Sequence, residues 1–289
     1  MKFTNIILKK FRNFFYKNLK RGIELRKLGS IDDNTLNSIV RALKHVINDN
    51  VSKEEKFWVD KIENLRRNLL NSTNEITIID CGAISPNICL TAVEKDKGRI
   101  LKKTIGEATK GSVPYIRGLL LFKLIREFQP LICLELGTAL GISSSYQSAA
   151  LELNNRGRIV TIEGTKSVAE VARQNHKILG LSRVITKIGK FKNVLETIIN
   201  EIKPVDFVFI DGHHEETATL NYFNTIVPSL SDYAILVFDD IGWSKGMKRA
   251  WKALTQDNRI KFAINLIGIG ICVISKSESK KRDFKLLLK

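Results

Sequence analysis

The sequence predicts an α/β protein built on a mostly parallel sheet with helices on both faces. Three observations carry that expectation. From Val113 onward, short β-branched apolar runs alternate with helical spans, the pattern of βαβ units. Two of the runs, in DFVFIDGHH and AILVFDDIGW, are interrupted at their ends by carboxylates, Asp211 and the pair Asp239-Asp240. The last apolar stretch, FAINLIGIGICVIS, reads as two strands joined through Gly268-Ile269-Gly270, a closing hairpin that adds an antiparallel strand. A helical region precedes the sheet.

The first 28 residues form a basic arm. Over residues 1–27, nine Lys/Arg stand against a single acid, Glu24, within a chain of net charge +17. Phe3, Ile7, Phe11 and Phe14 share one helical face with lysines around it. That suits an interfacial helix on an anionic membrane. It equally suits a helix docked on the protein's own body, or a partly ordered tail. Lys9, Lys10 and Arg12 interrupt the apolar stretch, so a secretory signal is not expected, and no run is long enough to span a bilayer.

Residues 29–112 read as a helical region with a connector. Gly29-Ser30 breaks the chain, and Asp32-Asp33-Asn34 offer caps for a helix to about Val46, with Leu36, Ile39, Val40, Leu43 and Val46 on one stripe. Ser52 and Glu55 have capping-box spacing for a second helix to about Leu70, with Phe57, Ile62, Leu65 and Leu69 facing inward. Ile76 to Ile79 resembles a short strand, the CGAISPN stretch is irregular, and residues 94–112 are charged and Gly-bearing, like a connector or lid.

Residues 113–289 then hold a helix over 115–128, stopped by Pro130, and strands near 131–136, 158–162, 183–188, 205–210 and 233–238. Four scattered cysteines, Cys81, Cys89, Cys133 and Cys272, form no CxxC pair, which argues against a zinc site or a disulfide framework and fits a reducing cytoplasm.

Chemistry concentrates after the strands. ELGTALGISS places Gly137 and Gly141 in a strand-to-helix turn where a nucleotide-like ligand approaches the backbone closely. The third glycine of a dinucleotide fingerprint is missing, which disfavours a dehydrogenase. Glu163 ends the next strand, some 25 residues beyond the turn, where an acid accepts from ribose hydroxyls. Asp211, Asp239 and Asp240 would repel one another unless a cation or a proton intervenes, and their oxygens suit Mg²⁺ or Ca²⁺; the other reading is that they cap turns and helices. His214, and less directly His213, can collect a proton near neutrality, or cap the turn before Glu215-Glu216. His45 and His176 lie on predicted helices, as structural or solvated residues. Trp243 and Met247 either line an acceptor pocket or pack a helix on the sheet, and Trp251 belongs to the core.

ELGTALGISS, TIEGT, DFVFIDGHH and ILVFDDIGW, in this order and spacing, resemble class I S-adenosylmethionine-dependent methyltransferases. The similarity is greatest to the O-methyltransferase branch of catechol, caffeoyl-CoA and bacterial sugar methyltransferases. It covers roughly residues 105–275 and leaves the first hundred unexplained. The resemblance implies a Rossmann-like methyltransferase sheet and S-adenosyl-L-methionine as cofactor. Gly137, Thr138, Gly141 and Ser143 would face its methionine part, Glu135 would contact the amino-acid end or shape the loop, and Glu163 with Gly164 would hold the ribose. Lys190 lies in the adenine-side loop. Asp211, Asp239 and Asp240 fall on the positions that hold Mg²⁺ or another divalent cation in metal-dependent members, and Asp211 also borders the cofactor. His214 falls where a base stands, often a Lys, so it departs from that subgroup.

The expected function is methyl transfer to a hydroxyl of a small molecule, sugar or lipid-linked glycan, in the cytoplasm, with the arm at the membrane's inner face as one reading. A metal-independent enzyme using His214, a nucleic-acid methyltransferase and a non-catalytic relative stay open. The nucleic-acid reading is disfavoured because the basic residues gather in the arms and DGHH stands where amino-methylating enzymes carry an NPPY-like tetrad.

Overall fold

The computed structural model describes residues 19–80, 98–275 and 282–288. Most of the basic arm and the CGAISPN stretch, with Cys81 and Cys89, lie outside the described residues. Helix α1 (19–29) ends in a turn at Ser30. Its Leu28 is fully buried, Leu25 packs on the core, and Arg21 Nη1 donates to the Leu288 carbonyl at 3.3 Å. This end of the arm is therefore docked on the protein's own body.

Helix α2 (Asn34–Ile47) starts where the Asp33 carboxylate accepts from the Leu36 amide at 2.8 Å, and its five stripe residues are all buried. Helix α3 (Lys53–Leu70) begins in the expected capping box: Ser52 N donates to Glu55 Oε2 at 2.8 Å, and Glu55 N donates to Ser52 Oγ at 3.3 Å. Ile62, Leu65 and Leu69 face inward, but Phe57 does not and is 60% exposed. The buried row runs Glu55, Val59, Ile62, Leu65, Leu69, and Phe57 falls off that three-four spacing. Glu55 lies on the row, where Lys123 of α5 (Tyr115–Phe128) meets its Oε2 at 2.6 Å.

Strand β1 (Glu75–Asp80) pairs antiparallel with β2 (Arg99–Thr104) in a small sheet of its own, followed by the helical turn α4 (Ile105–Thr109). Residues 99–109, expected within the charged connector, are thus a strand and a capped turn. Thr104 and Glu107 form a second capping box, and that Thr-x-x-Glu spacing was the available signal.

The main sheet contains β3 (Ile132–Leu136), β4 (Arg158–Glu163), β5 (Val184–Ile188), β6 (Val205–Ile210), β7 (Leu230–Phe238), β8 (Ile260–Asn265), β9 (Gly270–Ser275) and β10 (Arg282–Lys285). Its order is β10-β8-β9-β7-β6-β3-β4-β5. All neighbours are parallel except β9, which inserts antiparallel between β7 and β8. The closing hairpin is therefore present, and β10 extends the edge beyond it, a strand too short and charged for its sequence to announce. Helices α6 (Ile142–Asn154), α7 (Lys166–Leu179), α8 (Phe191–Ile202), α9 (Glu216–Ile226) and α10 (Lys245–Gln256) connect the strands.

Burial follows the two-residue period of a strand covered on both sides. Phe207 and Phe209 of β6 join one apolar cluster, and Val208 and Ile210 join the other. The first cluster runs without a break from α2 and α3 through α5 and α6 to the sheet, so the N-terminal helices share the sheet's core. Among the described residues, no helix is long and apolar enough to cross a membrane.

Candidate active site

The chain leaves β3 toward β4 and β5, then returns to β6 on the other side of β3. The carboxyl ends of β3 and β6 therefore border the topological switch point, where open α/β sheets bind ligands. Leu136 is level with both Ile162 and Ile210, and Ile210 is level with Phe238. Gly137, Glu163, Asp211 and Asp239, each the next residue or the last of its strand, consequently share one rim.

The Gly turn is shaped for close approach. Gly137 (φ 104°), Ala139 (φ 45°) and Gly141 (φ 84°) all lie in the left-handed region. Gly141 opens α6 without a side-chain cap, which leaves the first-turn amides and the positive end of the helix dipole to an anionic group. Beside it, a Cβ on Gly164 would meet no atom within 4 Å, so the surface next to Glu163 is open. Glu163 accepts from the Ala139 amide at 3.0 Å and the Thr165 amide at 2.9 Å, and burial raises its pKa. The Gly164 amide bonds the carboxylate as well, and of about four acceptor positions one remains for a hydroxyl. These residues fit a ligand with a carboxylate at one end and a ribose at the other.

Glu135 sits beneath this surface. It is fully buried and accepts from Gln147 Nε2 at 2.7 Å and Thr161 Oγ1 at 2.5 Å, with Ser143 and Ser144 also bonded to it. Burial pushes its pKa up to about 7. Of the two roles the resemblance left to Glu135, its surroundings favour shaping the loop. Thr138 is likewise turned inward, its hydroxyl 2.6 Å from Thr161 Oγ1. His176 lies under the same turn, Nε2 at 2.9 Å from Ser144 Oγ, and burial lowers its pKa to about 4.

Across the cleft, β6 ends in Asp211, whose backbone amide donates to the Leu136 carbonyl at 2.9 Å. His214 Nε2 stands 3.5 Å from Asp211 Oδ1, and the His214 ring lies 6.0 Å from that of Trp243, which is 41% exposed. Burial lowers the His214 pKa, with Asp240 opposing, so the ring is neutral at pH 7. The Asp211 carboxyl is raised well above its usual range by burial and by the charges of Asp239 and Asp240. His213 instead turns back: its Nδ1 bonds the Tyr222 hydroxyl, and its ring meets Phe191 edge-on. Met247 is buried and Trp251 packs on Phe238, which places both in the interior. Lys190 precedes α8 at its N-cap position.

One residue of the cluster had no sequence signal. Arg117, in the first turn of α5, places Nη1 at 2.5 Å from Asp239 Oδ1 and 2.9 Å from Asp240 Oδ1. The residues expected to hold a divalent cation therefore do not fit one: two of the three carboxylates are already engaged by a guanidinium. Among the described residues, no group of three or more His, Cys, Asp or Glu side chains is placed to hold a metal ion.

The β1–β2 hairpin adjoins the cofactor side of the rim. Ile79 N donates to Thr165 Oγ1 at 3.1 Å, Ser167 Oγ donates to the Thr77 carbonyl at 2.6 Å, and Ile76 packs on Leu140 and Val168.

Comparison with known proteins bears on the domain and its fold. Residues 134–241 match the family model described as a methyltransferase domain. No curated protein gives a significant match. Among solved structures, the O-methyltransferase TomG of Streptomyces achromogenes, in complex with SAM, is 25% identical, with 57% of this chain and 82% of that one covered and a TM-score of 0.51. An O-methyltransferase of Bacillus cereus in complex with SAH is 23% identical over 57% of this chain and 83% of its own, TM-score 0.50. The SAH-bound methyltransferase PaMTH1 of Podospora anserina is 19% identical over 58% and 82%, TM-score 0.52. The last two are likenesses of fold.

Proposed function

We propose that the protein, whose residues 134–241 match a methyltransferase domain, is a class I, S-adenosylmethionine-dependent enzyme that methylates a hydroxyl of a small acceptor, with His214 as the base. The observation that carries this reading is the pairing of His214 with Asp211 at 3.5 Å, on a strand end bonded directly to the Gly turn. When bound, S-adenosylmethionine supplies an electrophilic methyl group on a sulfonium. Gly137, Gly141, Ser143, Glu163, Gly164, Lys190 and Asp211 line its place, while Glu135 and Thr138 hold the turn from below.

The chain's own part is positioning and proton management. A hydroxyl is a poor nucleophile until its proton leaves, and a neutral imidazole held through Nε2 beside Asp211 has its other ring nitrogen to take that proton at pH 7. The charge of Asp240, which opposes the effect of burial on His214, stabilises the imidazolium so formed. The exposed face of Trp243 beside His214 gives the acceptor an apolar wall. The solved relative named as an O-methyltransferase at 25% identity supports a hydroxyl as the acceptor group. The acceptor proposed is a small molecule, sugar or lipid-linked glycan, and the charge of residues 1–28 supports its presentation at the inner face of a membrane.

The test is calorimetry of S-adenosylhomocysteine binding to wild type and His214→Gln. Saturable binding to both, with methyl transfer to a panel of hydroxyl acceptors lost only in the variant, is the expected result. No binding to wild type would end the cofactor reading. Full turnover by His214→Gln would remove the base.

A further inference from the structure

We propose that the guanidinium of Arg117 stands where metal-dependent relatives would place a divalent cation, so that this cleft holds its acid pair with a built-in organic cation and binds no Mg²⁺ there. The inference rests on the cleft just described, but it concerns metal affinity and is measured without turnover.

The geometry is specific. A single nitrogen, Arg117 Nη1, bridges Oδ1 of Asp239 and Oδ1 of Asp240, at 2.5 and 2.9 Å. Asp239 Oδ1 also accepts from the Asp240 amide at 2.9 Å. The oxygens that converge are thus already occupied. A divalent ion brought to the same oxygens would lie within a few ångströms of the guanidinium, where like charges in a partly buried site repel strongly. An arginine does not escape that repulsion by losing its proton.

The slot for the guanidinium is built by three elements. Arg117 projects from the start of α5, the acid pair ends β7, and the turn between β8 and β9 closes over the top. A Cβ on Gly268, itself at φ 107°, would lie 2.8 Å from Arg117 Nη2. Ile241 N donates to the Gly268 carbonyl at 3.1 Å, which ties that turn to the acid pair. The charge also faces the proposed base, since Arg117 acts electrostatically on both His214 and Asp211. A guanidinium orients and stabilises negative charge but generates no bound hydroxide. Proton removal consequently falls to His214.

A structural salt bridge would hold α5 to the sheet and leave divalent affinity unchanged on its removal, which separates the two roles. The experiment is titration of the full chain with MnCl₂ and MgCl₂ by calorimetry, alongside Mn²⁺-dependent thermal shifts of wild type, Arg117→Lys and Arg117→Met. Wild type and Arg117→Lys should show no saturable binding and no shift. Arg117→Met, with its acids released, should bind Mn²⁺ at least about tenfold more tightly than wild type and gain thermal stability from it. Stoichiometric binding to wild type, or an Arg117→Met protein as indifferent to Mn²⁺ as wild type, would overturn the proposal. If Arg117→Met does not fold, the wild-type titration decides alone. S-adenosylhomocysteine is titrated separately, so the cofactor reading and the cation reading fail in different measurements.

Discussion

A side-chain carbon on Gly137 would lie 2.1 Å from the carbonyl oxygen of Asp211. The turn that faces the cofactor and the strand end that carries the acids are therefore in backbone contact, with no room for adjustment between them. Gly137→Ala meets that contact at a φ of 104°, which side chains rarely adopt. The backbone strain alone is worth about 1–3 kcal/mol. Urea unfolding should show at least this loss, and calorimetry should show S-adenosylhomocysteine affinity reduced by about tenfold or more.

The pH–rate profile should place its acid limb below pH 6.5. Burial lowers the His214 pKa from 6.5, so the ring stays neutral, and able to take a proton, to lower pH than a free histidine. Protonation then removes the base. In His214→Gln the limb should vanish, with kcat reduced by about 10²–10⁴, the usual contribution of a general base.

Glu135 gives stability the opposite slope. Its pKa is about 7 in the fold, raised by burial from 4.5. Below pH 4.5 it is protonated in both states and costs nothing. Between 4.5 and 7 the unfolded chain ionises first, so stability falls as pH rises, by about 3 kcal/mol in all. Glu135→Gln cannot ionise. Its thermal midpoint relative to wild type should therefore climb from pH 5 to pH 8, measured by calorimetric scans.

Lys123→Met should be costly out of proportion to its size. Lys123 is buried against Glu55, 2.6 Å away, and removing it leaves that carboxylate, between α3 and α5, with only the Ser52 amide and Arg126 at 3.5 Å. Breaking such a pair from one side typically destabilises by about 3–5 kcal/mol. Chemical denaturation is the measurement. Glu55→Gln combined with Lys123→Met should recover part of the loss.

The membrane reading is tested at residue 19, because Leu25 and Leu28 belong to the core and cannot be removed cleanly. A chain starting there lacks Lys2, Lys9, Lys10, Arg12 and Lys17, and each basic residue near an anionic surface is worth about 1 kcal/mol. The full chain should float with phosphatidylserine vesicles and not with neutral ones, and the shortened chain with neither. Equal flotation of the two would end the idea.

Much of this arrangement was legible in the sequence. Strands β3 to β7 showed because buried parallel strands read as largely apolar, β-branched runs, and Glu163, Asp211 and Asp239 showed because they end those runs. The caps at Asp33 and Ser52 are local, so short-range spacing found them. What stayed hidden depends on distance or direction. Arg117 looks like any basic residue near a helix start, and its partners lie more than a hundred residues later. Glu135 sits one residue before the end of β3, and only the three-dimensional alternation sends it beneath the cleft instead of into it. Phe57 looked like core from its type, but helical phase turned it outward. Strand β10 pairs at an edge, where little hydrophobic pattern is required.

The insertion of β9 between β7 and β8 sets an order of construction. During synthesis, β3 to β7 emerge with both the Gly turn and the acid pair already encoded, but the turn that closes over Arg117 follows only at Gly268. Synthesis adds about 5–20 residues per second, so each nascent chain passes through an interval in which the Gly turn and the acid pair have emerged and the turn over Arg117 has not. The hairpin then brings the Gly268 turn over the guanidinium, and β10 is added at the sheet's edge after it.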